Sequence, residues 1–122
     1  MFIRCLLVDD SARFLEAACA LLERGGVEVV GVASTGAEAV ARARELAPDV
    51  ALVDLDLDGE SGLDVVRLLA GGVPAVILIS AHCLEDFQEL VTASPARGFL
   101  HKSALSAPAI RELVRPGHAR HD

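Results

Sequence analysis

Residues 2–10 read FIRCLLVDD, a run of mostly aliphatic side chains that stops at two adjacent carboxylates, Asp9 and Asp10. Such a run is too short for a buried helix and suits a strand covered on both faces. Comparable runs recur at residues 27–33 (VEVVGVA), 50–53 (VALV), 75–79 (AVILI) and 98–100 (GFL). The starts of these five runs lie about 24 residues apart, which leaves room for one helix between neighbours.

The segments between the runs carry helical spacing. Phe14, Leu15, Ala18, Leu21 and Leu22 form one apolar stripe, and Ala37, Val40, Ala43 and Ala47 a second. Leu63, Val66 and Leu69 form a third, Leu84, Phe87, Leu90 and Val91 a fourth, and Ala109, Ile110, Leu113 and Val114 a fifth. Ser11 is placed to cap the first helix, and Gly25-Gly26, Pro48 and Gly71-Gly72 are placed to stop the first three. Strands alternating with helices pair in parallel through right-handed crossovers. A leucine-rich solenoid would need a repeated L-x-x-L-x-L-x-x-N pattern, which is absent, and five units are too few for an eight-fold barrel. The expected fold is therefore a five-stranded, parallel, doubly wound α/β sheet with helices on both faces. It occupies residues 1–115, followed by a polar tail at 116–122 (PGHARHD) and no second domain.

A chain of 122 residues suffices for one compact domain. Apolar residues make up 52%, and mean hydropathy is +0.45, so a sizeable core is expected. The 11 basic and 18 acidic residues give a net charge of −7, which argues against nucleic acid or an anionic membrane as the main partner. Cys5, Cys19 and Cys83 cannot all pair and read as reduced thiols in a cytoplasmic protein. No apolar run approaches the ~18 residues of a membrane span, and the opening turns acidic too soon for a signal peptide.

Open parallel sheets bind ligands beyond the carboxyl ends of their strands. The residues just past each run are therefore informative: Asp9-Asp10 after the first, Asp54 after the third, Ser80 after the fourth and His101-Lys102 after the fifth. The second is succeeded only by Ser34-Thr35-Gly36, as expected of an edge strand away from the site. Three carboxylates in one crevice repel, by about 4 kcal/mol for two unit charges at ~4 Å and an effective dielectric near 20. A cation removes the conflict, and hard all-oxygen ligation suits Mg²⁺. A lysine and a hydroxyl beside the metal suit a phosphoryl group, which a carboxylate could accept as an aspartyl phosphate.

These residues resemble a bacterial response-regulator receiver, the phosphoacceptor domain of two-component signalling, over about residues 2–115. Asp9-Asp10 matches the family's acidic pair, and Asp54 its phosphorylated aspartate. Gly62 matches a glycine eight residues on, and Ser80-Ala81 a Thr/Ser-Ala pair. Phe99 and Lys102 match the switch aromatic and the lysine three residues later. The resemblance implies a flavodoxin-like strand order 2-1-3-4-5 and phosphoryl transfer from a sensor histidine kinase to Asp54. It implies Mg²⁺ held by Asp10, Asp54 and the backbone carbonyl of Asp56, with Asp9 acting through water. It also implies that Lys102 pairs with the phosphoryl group, that Ser80 swings to bond it, and that Phe99 turns inward. The surface of helix four, strand five and helix five would then be read by a downstream protein or output domain, or by a second copy in a homodimer. The stretch 97–114 looks most like receivers that precede a LuxR-type output domain.

Some positions depart from the family pattern. Asp58 stands where proline is usual, Asp56 adds an acid at the pocket rim, and Ser103 replaces a frequent proline. His82 and Cys83 read as the start of a helix or as a gate to the acyl phosphate. The four histidines have no metal-ligand spacing, so no zinc site is expected. Two other readings compete with a phosphoacceptor. VALVDLD resembles the strand-D-x-D motif of aspartyl-phosphate phosphatases, but here the acidic pair comes first and no late acidic pair succeeds it. A pseudo-receiver would keep the fold purely for protein binding. A Gly-rich nucleotide turn is absent from DDSARF.

Overall fold

The computed structural model describes residues 2–83, 85 and 88–115. Strands β1 (Ile3–Val8), β2 (Val27–Ala33) and β3 (Val50–Asp54) alternate with helices α1 (Ala12–Arg24) and α2 (Gly36–Leu46). A two-stranded antiparallel ribbon comes next, β4 (Asp56–Leu57) with β5 (Glu60–Ser61), and leads into α3 (Gly62–Leu69). Strand β6 (Ala75–Ser80), helix α4 (Gln88–Thr92), strand β7 (Gly98–His101), a 3-10 turn (Lys102–Ala104) and α5 (Ala107–Val114) complete the order. The five long strands form one parallel sheet in the order β2-β1-β3-β6-β7. With the ribbon set aside, that is the expected 2-1-3-4-5. Leu84 and Phe87 of the fourth apolar stripe, and the tail 116–122, lie outside the described residues.

Alternation along the strands divides the core into two layers. Leu6, Val8, Ala51, Val53, Val76 and Leu78 face α2 and α3, while Cys5, Leu7, Val50, Leu52, Ala75, Ile77 and Ile79 face α1 and α5. Every residue of β3 and β6 is buried, so burial on both faces holds at the sheet centre. It does not hold at the edges. Glu28 and Val32 of β2 are exposed, and β7 is half-buried throughout, because an edge strand is only partly overlaid.

The punctuation residues act as expected, with one refinement. Ser11 accepts the Phe14 N–H at 3.2 Å, and Gly25 caps α1. Helix α2 ends at Leu46, two residues before Pro48: Ala47 takes a left-handed conformation (φ 48°), and its N–H still reaches the Ala43 carbonyl. The proline disfavours helical geometry at the residue before it, which explains the early stop. At the opposite end of the sheet from the strand carboxyl termini, the Arg97 guanidinium donates to the Leu113 carbonyl (3.1 Å) and the Pro74 carbonyl (3.4 Å). It thereby satisfies the end of α5 and ties it to the start of β6.

Gly62 has a steric reason to be glycine. A Cβ there would collide with the Asp54 carbonyl oxygen and come within 2.7 Å of Leu55 Cα, both backbone atoms. Gly62→Ala is expected to cost about 3 kcal/mol in chemical denaturation, at the upper end for overpacking. Gly71→Ala, with open space around it, should stay within about 0.5 kcal/mol.

Candidate functional site

The sheet order reverses between β1 and β3: the chain leaves β1 for β2 on one side and returns to β3 on the other. The crevice at that switch is where Asp9, Asp10 and Asp54 converge. One carboxylate oxygen from each lies within 4.8 Å of the others. Asp9 and Asp54 are buried, at 1% and 6% exposure, whereas Asp10 is exposed.

Each acid is oriented by backbone donors. Asp9 Oδ1 accepts the Ser11 N–H at 2.8 Å, in the turn that starts α1. Asp54 Oδ1 accepts the Asp56 N–H at 3.2 Å, and Asp10 Oδ2 accepts the Asp58 N–H at 3.2 Å. The ammonium of Lys102, 20% exposed, closes the cluster at 2.7 Å from Asp9 Oδ2 and 3.3 Å from Asp54 Oδ2. Lys102 also lies over the Phe14 ring, 4.2 Å from its centroid.

The electrostatics arise from this crowding. Burial raises the Asp54 carboxyl above its ordinary pKa. The Asp56 N–H opposes that rise, the Asp9 charge adds to it, and Lys102 offsets part. For Lys102, burial disfavours the ammonium, but the close contact with Asp9 and the charges of Asp54 and Asp9 outweigh it and raise its pKa. Asp9 Oδ2 is buried and accepts no backbone N–H among the described residues; the Lys102 ammonium is its ion pair. Carboxylate oxygens gathered with so few hydrogen-bond donors suit a hard divalent cation.

The remaining expected residues are arranged around the cluster. Ser80 ends β6, 1% exposed, and its hydroxyl oxygen accepts the His82 N–H at 2.9 Å. Phe99 is half-buried in β7 and packs on the layer beneath α2 and α3. Asp56 is exposed on the ribbon, as expected of a rim residue. It borders a cleft of about 450 Å³, lined also by Leu55, Glu60, Leu63, His82 and Leu90.

Three contributors have no signal in the sequence, the Phe14 ring, the Asp58 N–H and Glu60, while His101 is marked only by following the fifth run. Glu60 reaches from the ribbon to accept the first N–H of α2, Gly36, at 2.9 Å. His101 Nδ1 accepts the Ser103 N–H at 3.1 Å, which leaves Nε2 to donate to the Ala81 carbonyl at 2.9 Å. Among the described residues, the second strand end supplies no side chain to the cluster; only its Ala33 carbonyl takes part, accepting the Asp9 N–H at 2.9 Å.

The response regulator receiver domain family matches residues 5–115, and the chain belongs to that family. It is 33% identical to the response regulator GacA of Pseudomonas viridiflava, covering 91% of this chain and 53% of that protein. It is 43% identical to a protein-glutamate methylesterase/protein-glutamine glutaminase of Myxococcus xanthus, covering 91% of this chain and 33% of that protein. The chain thus spans a third to about half the length of these curated relatives. Among solved structures, the signal receiver domain of the response regulator NarL from Mycobacterium tuberculosis superposes with a TM-score of 0.82. That pair is 31% identical, and the match covers 93% of this chain and 96% of that one. No described helix is long and apolar enough to cross a membrane.

Because the Asp54 pKa is raised on folding, its ionisation weakens the fold as pH rises from ~3.9 through the raised value. Asp54→Asn, which keeps the shape without the charge, is expected to stabilise the metal-free protein at neutral pH by about 1 kcal/mol, or roughly 3 °C in thermal melts. The advantage should vanish on acidification, where Asp54 itself becomes neutral; melts across that range check both the size and the sign.

Proposed function

We propose that this chain is the phosphoacceptor receiver of a two-component response regulator, with Asp54 as the residue modified. The observation that carries the reading is the convergence of Asp9, Asp10, Asp54 and Lys102 at the sheet's switch point. Asp10, Asp54 and the backbone carbonyl of Asp56 would hold Mg²⁺ directly, and Asp9 would do so through water. Bound there, magnesium supplies positive charge beside the carboxylates and the transferring phosphoryl oxygens. An Asp54 carboxylate oxygen attacks the phosphorus of a phosphohistidine; the P–O bond forms, the P–N bond breaks, and the imidazole leaves with the electron pair. Lys102 pairs with the phosphoryl oxygens once Asp54 is phosphorylated.

Ser80 then releases the His82 N–H to bond the phosphoryl group, and Phe99 turns inward behind it. The changed surface of α4, β7 and α5 presents itself to a downstream protein or output domain, or to a second copy in a homodimer. Assistance to phosphorylation and dephosphorylation is then the chain's own chemistry, with no separate substrate turned over. A pseudo-receiver is disfavoured because every position the chemistry needs is occupied by the required group.

Incubation with acetyl phosphate and Mg²⁺ is expected to add one phosphoryl equivalent by intact mass, with none added after chelation or in Asp54→Asn. Continuous phosphate release instead would indicate a phosphatase, and no uptake a pseudo-receiver. Asp56→Asn is expected to lengthen the life of the acyl phosphate, since the amide cannot take a proton from the attacking water. An unchanged half-life would remove that role from Asp56.

A further inference from the structure

The Lys102 ammonium is held by two carboxylates and by the face of Phe14, whose ring centroid lies 4.2 Å from Nζ. The three contacts differ in kind. Asp9 and Asp54 are the same groups that a divalent cation would claim, so metal binding competes with the lysine for their oxygens. A phenyl face neither ligates Mg²⁺, which takes oxygen donors, nor neutralises an ammonium. Its quadrupole attracts the cation at this distance and shields it from water. Lysine is otherwise a strongly hydrated charge on a flexible stem, which swings into solvent unless something holds it.

We propose that Phe14 is a positioning residue, holding the Lys102 ammonium at the pocket when a divalent cation has taken the carboxylates. The inference rests on the phosphoacceptor reading and assigns a role to a residue that reading leaves out. Phe14 is well placed for it. Its backbone N–H is capped by Ser11 Oγ at 3.2 Å, and the Ser11 N–H is bound by Asp9 Oδ1 at 2.8 Å. Two consecutive hydrogen bonds thus fix the Phe14 backbone relative to Asp9. The side chain also packs against the core layer under α1 and α5, which restricts its rotamer.

The test uses the whole chain, with Mg²⁺ and beryllofluoride as probes. The ε-methylene protons of Lys102 should show an upfield ring-current shift by NMR that persists at saturating Mg²⁺. Phe14→Leu should abolish that shift and weaken beryllofluoride binding about three- to tenfold, the range for a partly desolvated cation–π contact. Phe14→Tyr, which keeps the ring face, should bind within about twofold of the parent protein. In a Lys102→Met background, Phe14→Leu should have no further effect on binding, whereas a purely structural role would still lower affinity there. Thermal melts of each variant separate folding from binding. The inference fails alone if the shift disappears on adding Mg²⁺, or if Phe14→Leu binds beryllofluoride as the parent does. If the parent protein binds neither probe, the phosphoacceptor reading fails and takes this inference with it.

Discussion

Repulsion among three carboxylates, answered by one ammonium, is the constraint around which the rest of this protein is arranged. Asp9 and Asp54 are buried where water cannot screen them, and Lys102 is the cation the described structure places against both. Low local dielectric makes such a cluster costly to leave unbalanced and sensitive to any added charge. A cation or a phosphoryl group arriving at the cluster therefore changes its energy far more than it would at a solvated surface. The fully buried strands β3 and β6, with the buried end of β1, supply the rigid frame that keeps like charges from moving apart.

The position of the cluster was legible because strand direction is. Short aliphatic runs in a parallel sheet leave their last residues on one edge, so acids, a hydroxyl and a lysine placed after the runs had to come together. Each of Asp9, Asp10, Asp54, Ser80 and Lys102 comes after a run in the chain and lies on that edge in the fold. Helix stops were legible for similar local reasons, although Pro48 acts through the strained residue before it and not at the helix end itself. Gly62 was marked only by resemblance; the physical reason, the Asp54 carbonyl against its Cα, requires coordinates.

The contacts that stayed hidden join distant positions through groups with no chemical signature. Phe14 read as one more apolar residue on a helical stripe, which it is, and nothing in the chain announces that Lys102 lies over it. Backbone donors such as the Asp58 N–H are present at nearly every residue, so their use cannot be inferred from side-chain identity. The β4–β5 ribbon escaped notice because two-residue strands have no periodicity to detect. Glu60, which carries that ribbon's link to the start of α2, belongs to no motif that the sequence displays.

The Arg97 clasp and the Lys102 cluster lie at opposite ends of the same edge strand. One guanidinium grips the foot of β6 and the last turn of α5, while the far end of β7 carries Lys102 and the His101 link to Ala81. The edge strand thus joins a charged crevice at one end to a clamp on neutral carbonyls at the other, and α5 is anchored by the end remote from the charge.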